Sequence, residues 1–336
     1  MKDTYKSDII KLLNNIDLIC LYQCIGFITE EINMSGRFFA LMAAAVISFA
    51  PVHKTSHVPE GWFVWHSYTD YSAMDSCLYY MEPNGKVRTI DGNFVHAMNG
   101  SFGITPDKVA FMAIDKKADE WDIFIYNAVD GSIENMTERS GFRNEDPKWS
   151  PDGKSIVFKR GKWNSTINDF QYDLALLDVQ NKKVTMLTDD VSEEAMPCFS
   201  ADGKSVYYAG YEKGIGSIYR MYLSNGKRRV IYSENGVNAY YPIVNGKDLY
   251  FTKWLSRNDH HDQLMHYDGR KTVRLSFNRS DCDFSDICPV GFGSYIYSST
   301  QHGDYDLYYF NGREAVLLSK INSERNELGA DFFALS

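Results

Sequence analysis

Asn144–Phe158 reads NEDPKWSPDGKSIVF, and Glu194–Tyr208 reads EAMPCFSADGKSVYY, the same phrase restated fifty residues on. In both, a short segment ending in an aromatic residue meets an Asp-Gly turn, and β-branched and aromatic side chains follow. Asp-Gly between two such runs is a strong hairpin signal, because the tight turn needs residues that accept a positive φ. Weaker copies stand at Ala97–Phe111 (AMNGSFGITPDKVAF), Asn238–Phe251 (NAYYPIVNGKDLYF) and Asp283–Tyr297 (DFSDICPVGFGSYIY). Pro147, Pro197, Pro242 and Pro289 mark the copies at intervals of 50, 45 and 47 residues.

Each copy supplies two strands, and a third follows at Trp121–Tyr126, Tyr172–Asp178, Ser217–Met221, Asp262–Tyr267 and Tyr305–Tyr309. Short polar-ended fourth strands come next, as at Val184–Leu187 and Arg229–Tyr232. Four-stranded repeats of about 40–50 residues are the signature of a β-propeller. A first unit from Gly61 to Asp91 and five more starting near His96, Asn144, Glu193, Asn238 and Asp283 make an all-β, six-bladed propeller of antiparallel blades. The first unit is one strand short, and Leu328–Leu335 (LGADFFAL) is expected to close the ring from the C-terminal end.

Pro147–Phe158 and Pro197–Tyr208 resemble the PD40 (WD40-like) repeats of TolB-type propellers, whose hallmark is P-x-[FW]-S-P-D-G-K-x-I-x-[FY] followed by a [DS]-[IL]-Y third strand. The other copies depart at the turn, which becomes Ile-Thr-Pro-Asp, Val-Asn-Gly-Lys or Gly-Phe-Gly-Ser. The resemblance spans Gly61–Ser336 and implies a fold, not an activity. Propellers of this kind include the Tol–Pal periplasmic protein, peptidase-associated propellers and oligogalacturonate lyases.

Met34–Ala50 (MSGRFFALMAAAVISFA) reads as a secretory signal peptide: one Arg, then a short apolar run ending in small residues. A membrane-spanning helix needs about 20 apolar residues, so no integral span is expected once it is removed. Met34 is read as the true start, residues 1–33 as upstream sequence and residues 51–60 as a linker. A periplasmic or secreted bacterial protein follows. Cys77, Cys198, Cys282 and Cys288 are too few for a disulfide framework in a chain this size. The net charge of −9 argues against nucleic acid as a partner.

In a propeller the loops joining second to third strands meet the starts of the inner strands at one mouth of the central channel, with the Asp-Gly turns at the other. The mouth loops carry Arg160, Trp163, Trp254 and Arg257, where Trp faces can stack on sugar rings and guanidinium groups can clamp a carboxylate. Inner-strand starts are expected to bring His66, His96, Asn99, Glu145, Asp146, Tyr240 and Asp286 to the same mouth. His260, His261 and His302 join them from loops. There is no H-x-x-x-H pair, no G-x-S-x-G nucleophile elbow and no phosphate-binding glycine loop, so no metal or cofactor is assigned.

Two readings result. In the first, the chain is a monomeric, exported binding module that recognises a cell-envelope protein or a glycan at the channel mouth. In the alternative, it is a carbohydrate-active enzyme, a lyase or hydrolase of an acidic oligosaccharide. Its catalytic candidates are His66, His96 and His260, and its ligand contacts are Arg160, Trp163, Trp254, Arg257, His261, His302, Glu145, Tyr240 and Asp286.

Overall fold

The computed structural model describes residues 58–117, 120–291 and 293–335. The signal peptide read at Met34–Ala50, the upstream segment and most of the linker lie outside these residues. Blade 1 contains β1 (Gly61–Tyr68), β2 (Cys77–Met81) and β3 (Val87–Thr89). Blade 2 is β4 (Phe94–Phe102), β5 (Lys108–Asp115), β6 (Trp121–Asn127) and β7 (Ile133–Asn135). Blade 3 is β8 (Arg143–Trp149), β9 (Ser155–Asn164), β10 (Asp169–Asp178) and β11 (Lys183–Met186). Blade 4 is β12 (Glu193–Phe199), β13 (Ser205–Glu212), β14 (Ile215–Tyr222) and β15 (Arg228–Tyr232). Blade 5 is β16 (Ala239–Asn245), β17 (Asp248–Trp254), β18 (Asp262–Tyr267) and β19 (Thr272–Arg274). Blade 6 is β20 (Phe284–Gly291), β21 (Ser294–Ser299), β22 (Asp306–Phe310) and β23 (Ala315–Leu317). The last strand, β24 (Asn326–Ala334), is hydrogen-bonded to β1, so the first sheet runs β24-β1-β2-β3 and the ring of six four-stranded sheets closes.

The repeated phrase builds the same turn twice. Ser150 donates to the Asp152 carboxylate at 2.7 Å and Ser200 to Asp202 at 2.6 Å. Gly153 and Gly203 both adopt φ +68° and donate to the carbonyls of Ser150 and Ser200 at 2.9 Å. Middle strands such as Lys108–Asp115 and Ser294–Ser299 are buried on both faces, because every blade is packed between two others. Six apolar clusters result, one in each wedge between neighbouring blades. Phe111 and Tyr80 fill the wedge between blades 1 and 2, and Phe199 and Tyr208 that between blades 3 and 4. The fourth strands form the exposed rim, as the mostly exposed Lys183–Met186 shows.

Two details differ from the sequence reading. His66 is on β1, which is the second strand of its blade, because β24 takes the inner position. Pro289 is not the counterpart of Pro147: the register Lys148↔Val157 matches Cys288↔Ile296, so Ile287 occupies the proline's place in blade 6.

Candidate functional site at the channel mouth

All six inner strands break register at the same place. The bulges fall between Met98 and Ser101, Glu145 and Lys148, Ala195 and Cys198, Tyr240 and Ile243, and Ser285 and Cys288, with the sixth opposite Val64/His66 in β24. One residue in each bulge is left-handed: Asn99, Asp146, Met196, Tyr241, Asp286 and Gly329, with φ of 55°, 55°, 53°, 49°, 50° and 58°. A left-handed residue other than glycine costs about 1–3 kcal/mol, and five of these six carry side chains. The same six line a neck in the channel, together with Lys148, Pro197, Pro242, Ile243, Ile287 and Ala330, around a cavity of about 50 Å³. That space is of the order of a few water molecules, each of which needs roughly 10–15 Å³ on the same measure. Gly329 is the exception for a steric reason: a Cβ there would lie 2.5 Å from the ring of His66 behind it.

Above the neck, one side of the mouth is a compensated charge cluster. Lys159 of β9 reaches Glu145 at 2.9 Å and lies 4.1 Å from the centre of the Tyr172 ring, while the Tyr172 hydroxyl donates to Glu145 at 2.9 Å. Asn99 donates to Asp146 at 2.7 Å, and Glu193 stands 4.0 Å from Lys159. Burial works against the charge on Lys159, but Asp146 and Glu145 outweigh it and hold the ammonium above its ordinary pKa. Burial raises the carboxyl of Asp146, opposed by Lys159 and Asn99.

The other side has carboxylates without cations. The Tyr240 hydroxyl donates to Asp262, and the Asp262 amide donates to Asp283 at 2.9 Å. Burial, reinforced by Asp283 and Asp286, pushes Asp262 up to about 7, and burial pushes Asp286 up to about 6. Among the described residues no lysine or arginine forms an ion pair with any of the three, although Lys148 acts on Asp286 from the neck. Tyrosines stand between these groups: Tyr68 and Tyr71 from blade 1, Tyr172 from blade 3, Tyr211 from blade 4, Tyr240 and Tyr241 from blade 5, and Tyr305 from blade 6. Burial raises every one of them, and their mutual fields reach across the mouth, with Tyr71 and Tyr211 acting on Tyr241, and Tyr68 on Tyr305. Trp121 of blade 2 is buried in the apolar cluster between blades 2 and 3. Among the described residues no group of three or more His, Cys, Asp or Glu is placed to hold a metal ion.

No protein-family model matches the chain. An uncharacterized protein of Agrobacterium fabrum is 25% identical over 167 residues, 49% of this chain and 54% of that protein. The Tol-Pal system protein TolB of Roseobacter denitrificans is 34% identical over 70 residues, 21% of this chain and 16% of that one. The matches thus span about half of the first relative and a sixth of the second. The crystal structure of TolB from Acinetobacter baumannii superposes with a TM-score of 0.64 at 15% identity, covering 87% of this chain and 71% of that one. The fold is a TolB-type β-propeller.

The TolB-type ring distributes the residues singled out in the sequence unevenly. Glu145, Tyr240 and Asp286 are at the mouth or neck, as described. His66 is buried behind Gly329, where its Nδ1 accepts the Asn99 amide at 3.4 Å; burial and the nearby His96 push it down to about 3. His96 is fully buried between blades 1 and 2, its Nδ1 accepting from the Ser76 amide at 3.0 Å, and burial pushes it down to about 4. Burial thus favours the neutral form of both rings, and His260 on blade 5 is two blades from His66 and three from His96 round the ring, exposed and stacked 3.8 Å from the Trp254 ring. The three histidines therefore do not form one constellation. Arg257 covers Gly236 on the surface, Trp163 is 52% exposed against the edge of Phe170, and His302 bonds to Tyr308 at 2.6 Å. His261 meets the Ser280 carbonyl at 3.3 Å. Arg160 faces the wedge between blades 2 and 3, its guanidinium 4.0 Å over the Phe142 ring.

The residues not singled out are Met196 and Tyr241 of the neck, Lys159, and the tyrosines of the mouth other than Tyr240. A signal for two of them was present, because Met196 and Tyr241 each precede a repeated proline, as Asp146 does.

Proposed function

We propose that this chain is a binding module of the bacterial cell envelope that takes a segment of a protein partner at the channel mouth. The observation that carries this reading is the tyrosine-lined mouth, with the uncompensated Asp262, Asp283 and Asp286 on one side, over a neck of about 50 Å³. Tyrosine provides large, amphipathic contact area at low entropic cost, which is why it is enriched where proteins bind one another. A partner carrying lysine, arginine or an amino terminus would favour the ionised form of Asp262 and Asp286 against the burial that raises them, whereas an acidic glycan would not.

The periplasmic or secreted location is part of the same proposal. It rests on the Met34–Ala50 pattern and on the likeness to a Tol-Pal system protein. The enzymatic alternative draws less support, since burial pushes His66 and His96 down to about 3 and about 4, which makes them weak bases.

Capture experiments with the full chain and envelope extract test the reading, with the captured protein then purified and titrated. Tyr71→Ala combined with Tyr305→Ala should weaken its binding about tenfold or more, since a buried aromatic contact at an interface is commonly worth ~1–2 kcal/mol or above. Unchanged affinity in that variant, or turnover of an oligosaccharide by the wild type, would contradict it.

A further inference from the structure

A second feature lies away from the mouth, in the wedge between blades 2 and 3. Asn135, Thr137, Ser140, Arg160, Lys182 and the exposed Glu138, which pairs with Arg139 at 3.3 Å, border a groove of about 420 Å³, a size that takes a small organic ligand. The neighbouring wedge between blades 3 and 4 provides an internal comparison. There Glu194, 2% exposed and two residues before the left-handed Met196, receives Arg228 at 2.8 Å, and Arg228 also pairs with Asp190. Arginine and carboxylate pair within the chain through Glu194 Oε1, while Glu194 Oε2 is buried without a partner.

In the wedge between blades 2 and 3 the position of Glu194 is taken by Asn144, two residues before the left-handed Asp146. An arginine is still present, but it comes from a different strand: Arg160 of β9, paired in register with Asn144. Its guanidinium carbon lies over Phe142, 4.0 Å from the ring centre, and the group forms no hydrogen bond or ion pair among the described residues, while its Nε is buried without a partner. Asn144 Oδ1 is likewise buried and unpartnered. The carboxylate that acts on Arg160, Asp122, is already engaged, accepting from Thr137 at 2.6 Å, Asn135 at 2.9 Å and Asn144 at 3.2 Å. At the groove's edge Lys182 contacts Glu134 at 2.8 Å and the Asn135 carbonyl at 3.1 Å. A half-buried guanidinium stacked on an aromatic ring presents its in-plane N–H groups for a planar, bidentate acceptor.

We propose that this groove is an oxyanion-binding site in which Arg160 takes the carboxylate or phosphate group of a small ligand, with Ser140 and Lys182 at its border. The ligand supplies the anion that Glu194 supplies to Arg228 one wedge further on. The site is separate from the mouth and does not depend on what binds there.

Isothermal titration of the full chain at low ionic strength, with inorganic phosphate, galacturonate and neutral galactose in turn, tests the proposal. Saturable binding of phosphate or galacturonate but not galactose is expected, and the anion that binds tells which source of the oxyanion the groove prefers. Arg160→Gln should weaken that binding about tenfold or more, as loss of a charge-assisted pair does. Lys182→Gln, at a side chain 43% exposed that leaves the core untouched, should weaken it about threefold and serves where the first variant does not fold. Absence of binding for both anions, equal binding of galactose, or wild-type affinity in every variant that folds would overturn the site.

Discussion

At the scale of single residues, the neck gathers groups whose conformation or ionisation is unfavourable in isolation. Asp286 shows both, with φ 50° and a carboxyl that burial moves from 3.8 to about 6. The sign of its effect on stability follows from that direction. The fold tolerates the neutral acid better than the carboxylate, so the contribution of Asp286 is fully present below about pH 4 and is lost as pH rises through about 6. Two pKa units correspond to about 3 kcal/mol, reduced to about 2 kcal/mol for a side chain that retains some access to solvent. Thermal unfolding of Asp286→Asn and wild type from pH 4 to 8 should therefore show the variant gaining about 2 kcal/mol on the wild type across that range. Parallel pH profiles would show that the carboxyl is not held in the buried state described. Residues of this kind were only half legible in the sequence. Glu145, Asp146 and Asp286 could be placed near the channel because polar side chains at inner-strand starts have few other destinations. Lys159 could not, because its strand is the second of its blade and its approach to Glu145 depends on packing across the sheet.

At the scale of elements, the strands were legible because their signals are local: Asp-Gly turns, alternation, and a proline at a repeated place. The bulges were not, since a register break is a property of two paired strands, and it took the pairing to show that Pro289 stands two positions beyond the others. The closing strand illustrates the same limit. Leu328–Leu335 was recognisable as a spare strand, yet its consequence for His66, displaced to the second position of blade 1, followed only from the sheet order. Arg325 fastens that strand: it donates to the Ser67 hydroxyl at 3.0 Å, the Thr69 hydroxyl at 3.0 Å and the Asp75 carbonyl at 2.9 Å. Arg325→Ala should lower stability in chemical denaturation by about 1–3 kcal/mol. Arg313→Ala, at an exposed side chain, should stay within about 0.5 kcal/mol of wild type. Equal effects would mean that the closure does not rely on Arg325.

At the scale of the whole molecule, six interblade wedges replace a single core, and the symmetry that builds them also converges six inner strands on one axis. The proposed binding function attaches to that convergence, because the mouth is where one residue type, tyrosine, is presented by five blades. Fold and function were unequally legible for this reason: repeats announce a ring from sequence alone, whereas the composition of its mouth depends on which side chain of each copy turns inward. The histidines and arginines that stood out along the chain are mostly dispersed over the surface and the wedges, and the mouth is built from tyrosines and aspartates that stood out less. Site-specific photocross-linking tests this central claim most directly, with a benzophenone amino acid in place of Tyr71 at the mouth, 59% exposed, or in place of Val230 on the outer rim, 49% exposed. A partner protein from the envelope should be trapped from position 71 and not from position 230; trapping from the rim with none from the mouth would contradict the account.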